Sequence, residues 1–202
     1  MNSQGGEEAA ILRAVEKIEG DHTRTFLDIG AHDGKSFSNT YALALEGWRG
    51  VCIEPSPAAF IKLIELYKDN PRITLVNAAI GLEDNLKMFY DCGGDFYGSL
   101  DAVNAAKWVK SGIKFISYLV PQITIEKLIH QLPWSYDVVS IDTEGTSFDI
   151  LKTIPLEEWD PTVICIEHDG RAVEVAEWGR ATQRYEVGYL DANNICLVRV
   201  RR

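Results

Sequence analysis

Two acidic residues lie at or near the ends of short apolar segments of this chain, and glycines follow the first of them. Asp28 lies in the run at 26–29 and is followed by Gly30 and Gly34, and Glu54 ends a second run at 50–53. Glycines allow a backbone to approach a ligand closely, and a carboxylate at the next strand end offers two acceptor oxygens to a ribose diol. The pattern predicts a nucleoside-binding crevice.

The spacing of the glycines discriminates between nucleoside ligands. A dinucleotide loop needs glycine at its first, third and sixth positions, where this chain has Gly30, His32 and Lys35. A phosphate-binding P-loop needs its first glycine at the position of Ile29. The spacing suits S-adenosylmethionine (SAM), which carries no phosphate. The alternative is a glycine-containing turn that binds no ligand.

Apolar periodicity predicts strands that alternate with helices. The predicted strands are Thr25–Ile29, Gly50–Glu54, Ile73–Asn77, Leu86–Tyr90, Tyr136–Asp142, Thr162–Glu167, Tyr185–Leu190 and Ile195–Val200. The predicted helices are Glu7–Glu19, Ser36–Glu46, Pro57–Lys68, Thr124–His130, Ser147–Thr153 and Arg171–Arg180. The order predicts an α/β fold with a doubly wound, mostly parallel sheet that ends in an antiparallel C-terminal hairpin.

Length and composition predict one domain over residues 1–202. The 202 residues are 46% hydrophobic, which allows a single core. Residues 1–6 are expected to form a flexible tail. The segment 91–122 breaks the alternation and is expected to be an irregular insertion on the acceptor side, where its aromatic rings could close over a sulfonium.

The net charge limits the kinds of binding partner that the chain can have, and the cysteines indicate its cellular compartment. A formal net charge of −10 argues against nucleic acid and anionic membranes. Cys52, Cys165 and Cys196 lie in apolar runs without paired-ligand spacing, and Cys92 lies in a glycine-rich loop. Free buried thiols and the absence of an apolar leader lead us to expect a cytoplasmic protein.

Further acidic residues follow the later strands. Asp142 ends one predicted strand and Glu144 follows it, and Glu167 ends the next strand and Asp169 follows it. Carboxyl ends of parallel strands meet at one edge of a sheet, so these groups should lie together. Their field would suit a cationic sulfonium. It would also suit Mg²⁺, so these four residues are candidate metal ligands.

If SAM donated its methyl group to a hydroxyl, a nearby group would have to accept the proton of that hydroxyl. His168 is the first candidate for this catalytic role because it follows a strand end and histidine is the residue type that commonly exchanges protons near neutral pH. Asp142 is the second candidate and Asp169 the third. The alternative for His168 is a structural histidine, and His32 is expected to pack against the cofactor.

Several segments in a fixed order resemble a known family. They are Leu27-Asp28-Ile29-Gly30-Ala31-His32-Asp33-Gly34, Ser38-Asn39-Thr40, Gly47-Trp48-Arg49-Gly50, Ile53-Glu54-Pro55, Ile141-Asp142-Thr143-Glu144-Gly145, Asp149-Ile150-Leu151-Lys152-Thr153-Ile154-Pro155 and Ile166-Glu167-His168. In these segments the chain resembles the FkbM-type SAM-dependent methyltransferases. The resemblance implies a Rossmann-like class I methyltransferase fold with a seven-stranded sheet, and O-methylation of a hydroxyl on a sugar or other small molecule.

The resemblance also implies roles for individual residues. Glu54 would hold the ribose, Ala78 and Ala79 would flank the adenine, and Asp142 would lie beside the methionine end or the acceptor. The cofactor-binding set is Asp28, Gly30, Ala31, His32, Asp33, Gly34, Ser36, Glu54, Pro55, Ala78, Ala79 and Asp142.

Two expectations concern protein contacts. The segments around Asp142 and Glu167 also resemble the Star-type trafficking proteins, so a non-catalytic SAM-binding or interaction module is the alternative function. The amphipathic helix predicted at Glu7–Glu19 could form a homodimer surface or cover the sheet.

Overall fold

A computed structural model describes residues 3–17 and 23–200. The strands are β1 (Thr25–Ile29), β2 (Arg49–Ile53), β3 (Ile73–Val76), β4 (Ala79–Ile80), β5 (Asn85–Asp91), β6 (Ile116–Ile123), β7 (Val138–Ile141), β8 (Val163–Glu167), β9 (Tyr185–Leu190) and β10 (Asn194–Arg199). The helices are α1 (Glu7–Val15), α2 (Tyr41–Leu45), α3 (Pro57–Tyr67), α4 (Ala102–Lys110), α5 (Ile125–Gln131), α6 (Ser147–Leu151), α7 (Leu156–Trp159) and α8 (Ala172–Ala181).

The main sheet has seven strands in the order β3-β2-β1-β7-β8-β10-β9. The five strands from β3 to β8 are parallel, and β10 runs antiparallel to both β8 and β9. The predicted sheet with its antiparallel C-terminal hairpin is therefore confirmed. The strand order reverses between β1 and β7, and ligands of such sheets bind at this point, beyond the carboxyl ends of the strands.

Successive side chains of the central strands point to opposite faces, and each face is covered by helices. Phe26 of β1 and Cys165 of β8 belong to the core beneath α1, α2 and α3. Leu27 and Ile164, their neighbours in the chain, belong to the core beneath α5, α6, α7 and α8. Because both faces are buried, the strands are continuously apolar, which is why the sequence shows them clearly.

The predicted helix Ser36–Glu46 is wrong over its first half, because the helix begins only at Tyr41. The Asp33 carboxylate accepts the backbone N–H groups of Lys35 and Ser36 at 2.9 and 2.7 Å, and this forms a tight turn. Phe37 then has a left-handed backbone with φ of 58°, which an α-helix does not tolerate.

The segment 91–122 is not irregular, contrary to the expectation, whereas its position on the acceptor side stays a prediction. This segment contains α4 and most of β6, and β6 pairs antiparallel with β5 and parallel with β4 in a second, three-stranded sheet. The sequence hides β6 because the strand contains Pro121 and half of its residues are exposed. An exposed strand with proline lacks the apolar alternation on which the prediction depended.

The N-terminal residues that the structure describes lie against the rest of the fold. Ser3 forms a β-bridge with Phe37, and the backbone N–H of Gly6 donates to the Tyr189 hydroxyl at 2.8 Å. Met1, Asn2 and the end of the helix predicted to Glu19 are outside the described residues. The division into one domain with a flexible tail stays a prediction.

Helix α1 packs on the sheet, where Ile11 is fully buried. Cys52, Cys165 and Cys196 are free and buried as predicted, and Cys92 is half-buried. Among residues 3–17 and 23–200, no helix has the length and apolarity required to cross a bilayer.

Candidate functional site

A cleft that is open to solvent lies at the carboxyl ends of β1, β2 and β7. Most of the predicted cofactor residues line it, namely Asp28, Gly30, Ala31, His32, Ser36, Glu54, Pro55, Ala78, Ala79 and Asp142. Glu144, named from the sequence only as a metal ligand, lines it as well.

Gly30 follows β1 and lies close to the backbone of Asp142, which follows β7. Its φ of +85° is in the left-handed region, and a Cβ atom there would lie 1.7 Å from the backbone oxygen of Asp142. The backbone N–H groups of Gly30 and Ala31 both donate to the Ile53 oxygen, at 2.9 and 3.0 Å. The turn therefore requires glycine at this position, and it brings the ends of β1, β2 and β7 together at the cleft.

Asp33 and Gly34, also predicted to bind the cofactor, do not line the cleft. The Asp33 carboxylate accepts hydrogen bonds from the following turn, including the Ser36 hydroxyl at 2.8 Å. Gly34 faces α3, where a Cβ atom would lie 2.5 Å from Leu63. Both residues shape the loop that carries His32 and Ser36.

Glu54 is buried at the end of β2 with both carboxylate oxygens held by the backbone. Oε1 accepts the N–H of Ser56 at 2.7 Å, and Oε2 accepts the N–H of His32 at 2.9 Å. Burial outweighs these hydrogen bonds and raises the pKa of Glu54 to about 7. A carboxylate has about four acceptor positions, so two remain for a diol in the cleft.

A polar group beside Asp28 was missed in the sequence. Asp28 accepts the Thr40 hydroxyl at 2.6 Å, and burial raises its pKa to about 6. Asn39 donates to the Ser140 hydroxyl at 3.3 Å, while its buried Oδ1 atom has no hydrogen-bond partner within the part of the chain that the structure describes. Asn39 itself lines the cleft. The only sequence signal was its place in Ser38-Asn39-Thr40.

Three carboxyl groups form a cluster at the ends of β7 and β8. One oxygen each from Asp142, Glu144 and Glu167 lies within 4.8 Å of the others. Burial and the neighbouring carboxylates raise the pKa of Glu167 to about 11 and that of Glu144 to about 8, and burial raises the pKa of Asp142. Asp169 is exposed and does not belong to the cluster.

His168, the first candidate for the base, does not line the cleft. Its Nδ1 accepts the backbone N–H of Gly170 at 3.1 Å, so its Nε2 carries the proton and donates to the Asp191 oxygen at 3.2 Å. Both ring nitrogens hold the turn after β8 and the hairpin. His168 is therefore a structural histidine, which was the alternative to its role as a base. Asp169 does not line the cleft either. Asp142 alone of the three predicted catalytic residues lines the cleft.

The loop after β5 covers one side of the cleft. Asp95 and Phe96 line the cleft, and the Phe96 ring lies 4.2 Å from the His32 ring and 4.8 Å from the Phe37 ring, measured between centroids. His32 Nε2 lies 2.9 Å from the Gly94 oxygen. The His32 ring thus packs against Phe96 of this loop, and its predicted packing against the cofactor stays a prediction.

Solved structures define the class of the fold. A methyltransferase FkbM from Methylobacillus flagellatus KT is 17% identical with a TM-score of 0.57, and the match covers 92% of this chain and 45% of that one. An rRNA methylase from Streptococcus thermophilus is 11% identical with a TM-score of 0.51, covering 96% and 95%. The human methyltransferase 10 domain containing protein is 12% identical with a TM-score of 0.50, covering 98% and 82%. The chain has a class I methyltransferase fold.

The family follows from the sequence match. The family model of the methyltransferase FkbM domain matches residues 28–186, so the chain belongs to the FkbM methyltransferase domain family. No curated protein matches the chain. The chain spans about half the length of the Methylobacillus flagellatus structure. The family implies SAM as the cofactor, and the cleft residues have the chemistry to hold it.

Proposed function

We propose that the chain binds SAM in the cleft and transfers its methyl group to a hydroxyl oxygen of a small molecule, such as a sugar. The observation that carries the proposal is the Glu54 carboxylate, which is fixed at the end of β2 beside the Gly30 turn. This is the arrangement that binds a ribose diol in open α/β sheets.

Each part of the cofactor has a complementary wall. Glu54 would accept hydrogen bonds from the ribose, and the apolar wall of Ala78 and Ala79 would flank the adenine. The side chain of Asn39 and the carboxyl of Asp142, which line the cleft, would lie beside the positively charged end. The bound cofactor supplies an activated methyl group, and the chain orients both partners and excludes water.

The charges of the cleft favour a small acceptor without negative charge. Among the described residues that line it, five are acidic and none is lysine or arginine; the acidic ones are Asp28, Glu54, Asp95, Asp142 and Glu144. A nucleic acid needs lysine and arginine to neutralise its phosphates. We therefore do not extend to this chain the rRNA methylation for which the Streptococcus thermophilus protein is named.

The acceptor hydroxyl must lose its proton as the methyl group arrives. Asp142 lines the cleft and is our candidate for the base that accepts this proton. A positioned base contributes about 10²–10⁴ to the rate. The Phe37 and Phe96 rings at the cleft offer flat apolar surfaces to a ring-bearing acceptor.

Isothermal titration with S-adenosylhomocysteine tests the proposal. We expect the wild-type chain to bind it, and Glu54→Ala to weaken binding by at least about tenfold because the diol loses its acceptor. The matched control is Glu46→Ala, which removes an exposed glutamate outside the cleft. Absence of binding by the folded wild-type chain, or equal binding by both variants, refutes the proposal.

The Mg²⁺ expected from the sequence is retained as a further proposal. Asp142, Glu144 and Glu167 offer hard oxygen ligands within 4.8 Å of one another. A bound cation would replace the proton that the cluster otherwise keeps. Titration of the chain with MgCl₂ should give heat that Glu167→Gln abolishes, and equal heats from both proteins would exclude the site.

The rival proposal is an interaction module that binds SAM without turnover. Screening hydroxylated acceptors for formation of S-adenosylhomocysteine separates the two, because a module would bind the cofactor and release no product. A cytoplasmic location and a homodimer also remain proposals. Size-exclusion chromatography with light scattering would test the homodimer.

A further inference from the structure

Asp91, at the end of β5, is a buried carboxylate with four donors around it. Oδ2 accepts the Ser56 hydroxyl at 2.8 Å and the Tyr118 hydroxyl, and Oδ1 accepts the backbone N–H groups of Gly93 and Gly94 at 2.9 and 2.8 Å. Burial alone would raise the pKa of Asp91, but these hydrogen bonds outweigh it and hold the pKa below its usual range. Asp91 is therefore an ionised centre for the loop around it.

Ser56 connects Asp91 to the carboxylate that faces the cleft. Its hydroxyl donates to Asp91, while its backbone N–H donates to Oε1 of Glu54 at 2.7 Å. The same hydroxyl accepts the N–H of Ala59 at 3.3 Å and caps α3. Asp91 thus determines the orientation of the residue that holds one oxygen of Glu54.

A second connection reaches the other oxygen of Glu54. Gly94 donates its N–H to Asp91, and the Gly94 oxygen lies 2.9 Å from Nε2 of His32. The backbone N–H of His32 donates to Oε2 of Glu54 at 2.9 Å. The hydrogen bonds therefore close a ring that runs from Glu54 through Ser56, Asp91, Gly94 and His32 back to Glu54.

We propose that Asp91 is a positioning residue for cofactor binding, which holds the Glu54 carboxylate in the orientation that accepts the ribose diol. The inference rests on the proposed function. The terminal torsion of a glutamate is broad, so an unrestrained carboxylate would point its free acceptor positions in many directions. With one donor fixed on each oxygen, the carboxylate is held in one orientation in the wall of the cleft. The ring also joins the ribose site to the loop that carries Phe96.

The experiment compares two ligands in the wild-type chain and in Asp91→Asn. The ligands are S-adenosylhomocysteine and its analogue that lacks both ribose hydroxyls. Asparagine has one acceptor oxygen where Asp91 uses two, so donors on one side are left opposite an NH₂ group. We expect Asp91→Asn to weaken the binding of S-adenosylhomocysteine by about tenfold and the binding of the analogue by less than about twofold, both measured by calorimetry.

If Asp91→Asn weakened the binding of both ligands equally, Asp91 would only support the fold. That result would overturn the inference. Unchanged binding of both ligands would overturn it as well. Failure of the wild-type chain to bind S-adenosylhomocysteine is a separate result, because it refutes the proposed function before Asp91 is tested.

A second pair of variants applies if Asp91→Asn does not fold. Ser56→Ala removes the hydroxyl that Asp91 accepts and keeps the backbone N–H to Glu54. Thr124→Ala is the matched control, because the Thr124 hydroxyl caps α5 in the same way, accepting the N–H of Lys127 at 3.1 Å. Only Ser56→Ala should discriminate between the two ligands. If it weakens both alike, loss of the cap explains the result and the inference fails.

Discussion

Replacing Glu167 by glutamine is expected to make the stability of the fold less sensitive to pH. Burial and the nearby Asp142, Glu144 and Asp169 raise the pKa of Glu167 from an ordinary 4.5 to about 11. Between these values the folded protein keeps a proton that the unfolded chain has released. Folding therefore takes up a proton in this window, and the free energy of unfolding falls as pH rises.

The size of the effect follows from proton linkage. Each pH unit inside the window lowers the stability of the wild-type fold by about 1.4 kcal/mol relative to the variant. Between about pH 6 and pH 8 the difference is about 3 kcal/mol, provided that the folded-state pKa lies above the upper pH. Glutamine has the shape of the protonated acid and can donate to Asp142 as the acid does, so the two proteins should have similar stability at the acidic end.

Urea unfolding followed by tryptophan fluorescence measures the effect at about pH 6, 7 and 8, with a chelator present to remove divalent ions. The matched control is Glu186→Gln, because Glu186 is exposed on β9 and does not belong to the carboxyl cluster. The control should lose stability with pH as the wild type does. If Glu167→Gln and the wild type lose stability in parallel, within about 1 kcal/mol over this range, Glu167 does not hold the proton and the reasoning is refuted.

Three further predictions concern the cleft and its neighbour. Gly30→Ala should lower the free energy of unfolding by several kcal/mol, because its Cβ would overlap the Asp142 oxygen. The control Gly47→Ala is also at positive φ but has no atom within 4 Å, so it should lower that free energy by only about 1 kcal/mol. Urea unfolding measures both. Binding of S-adenosylhomocysteine should weaken as pH falls below about 7, where Glu54 takes up its proton. Calorimetry should find a smaller pH dependence in Glu54→Gln, where Asp28 still takes up a proton near pH 6. His168→Ala should lower the melting temperature measured by scanning calorimetry and leave the binding of S-adenosylhomocysteine unchanged. Weaker binding by this variant would mean that His168 does contribute to the site.

The central sheet and the glycine turn were predictable because their causes are local. Strands buried on both faces are continuously apolar, and β1 and β8 show this directly. The turn at Gly30 requires a residue without a side chain, so its position is visible in the sequence. Glu54 was recognisable because a strand of this kind rarely ends in an acidic residue without a ligand or a hydrogen-bond partner.

What the sequence did not show depends on contacts between distant segments. The sequence favoured His168 as a base because nothing local reveals its hydrogen bond to the Asp191 oxygen, 23 positions away in the hairpin. The ring of hydrogen bonds through Asp91 joins three separate loops and has no local pattern. The orphan acceptor of Asn39 depends on the orientation of its amide toward Ser140. Tertiary packing decides all three.

The contacts of residues 3–6 have a practical consequence for handling the protein. Gln4 lines the cleft and accepts a hydrogen bond from the Asn193 amide at 3.2 Å, so a purification tag or fusion partner attached ahead of Ser3 would emerge at the cleft rim. Strand β10 runs antiparallel to β8, and Arg199 donates its backbone N–H to Thr162, just before β8 begins. A tag joined after β10 would therefore lie at the opposite end of the parallel strands from the cleft. Titrations are best performed with the affinity tag at that position.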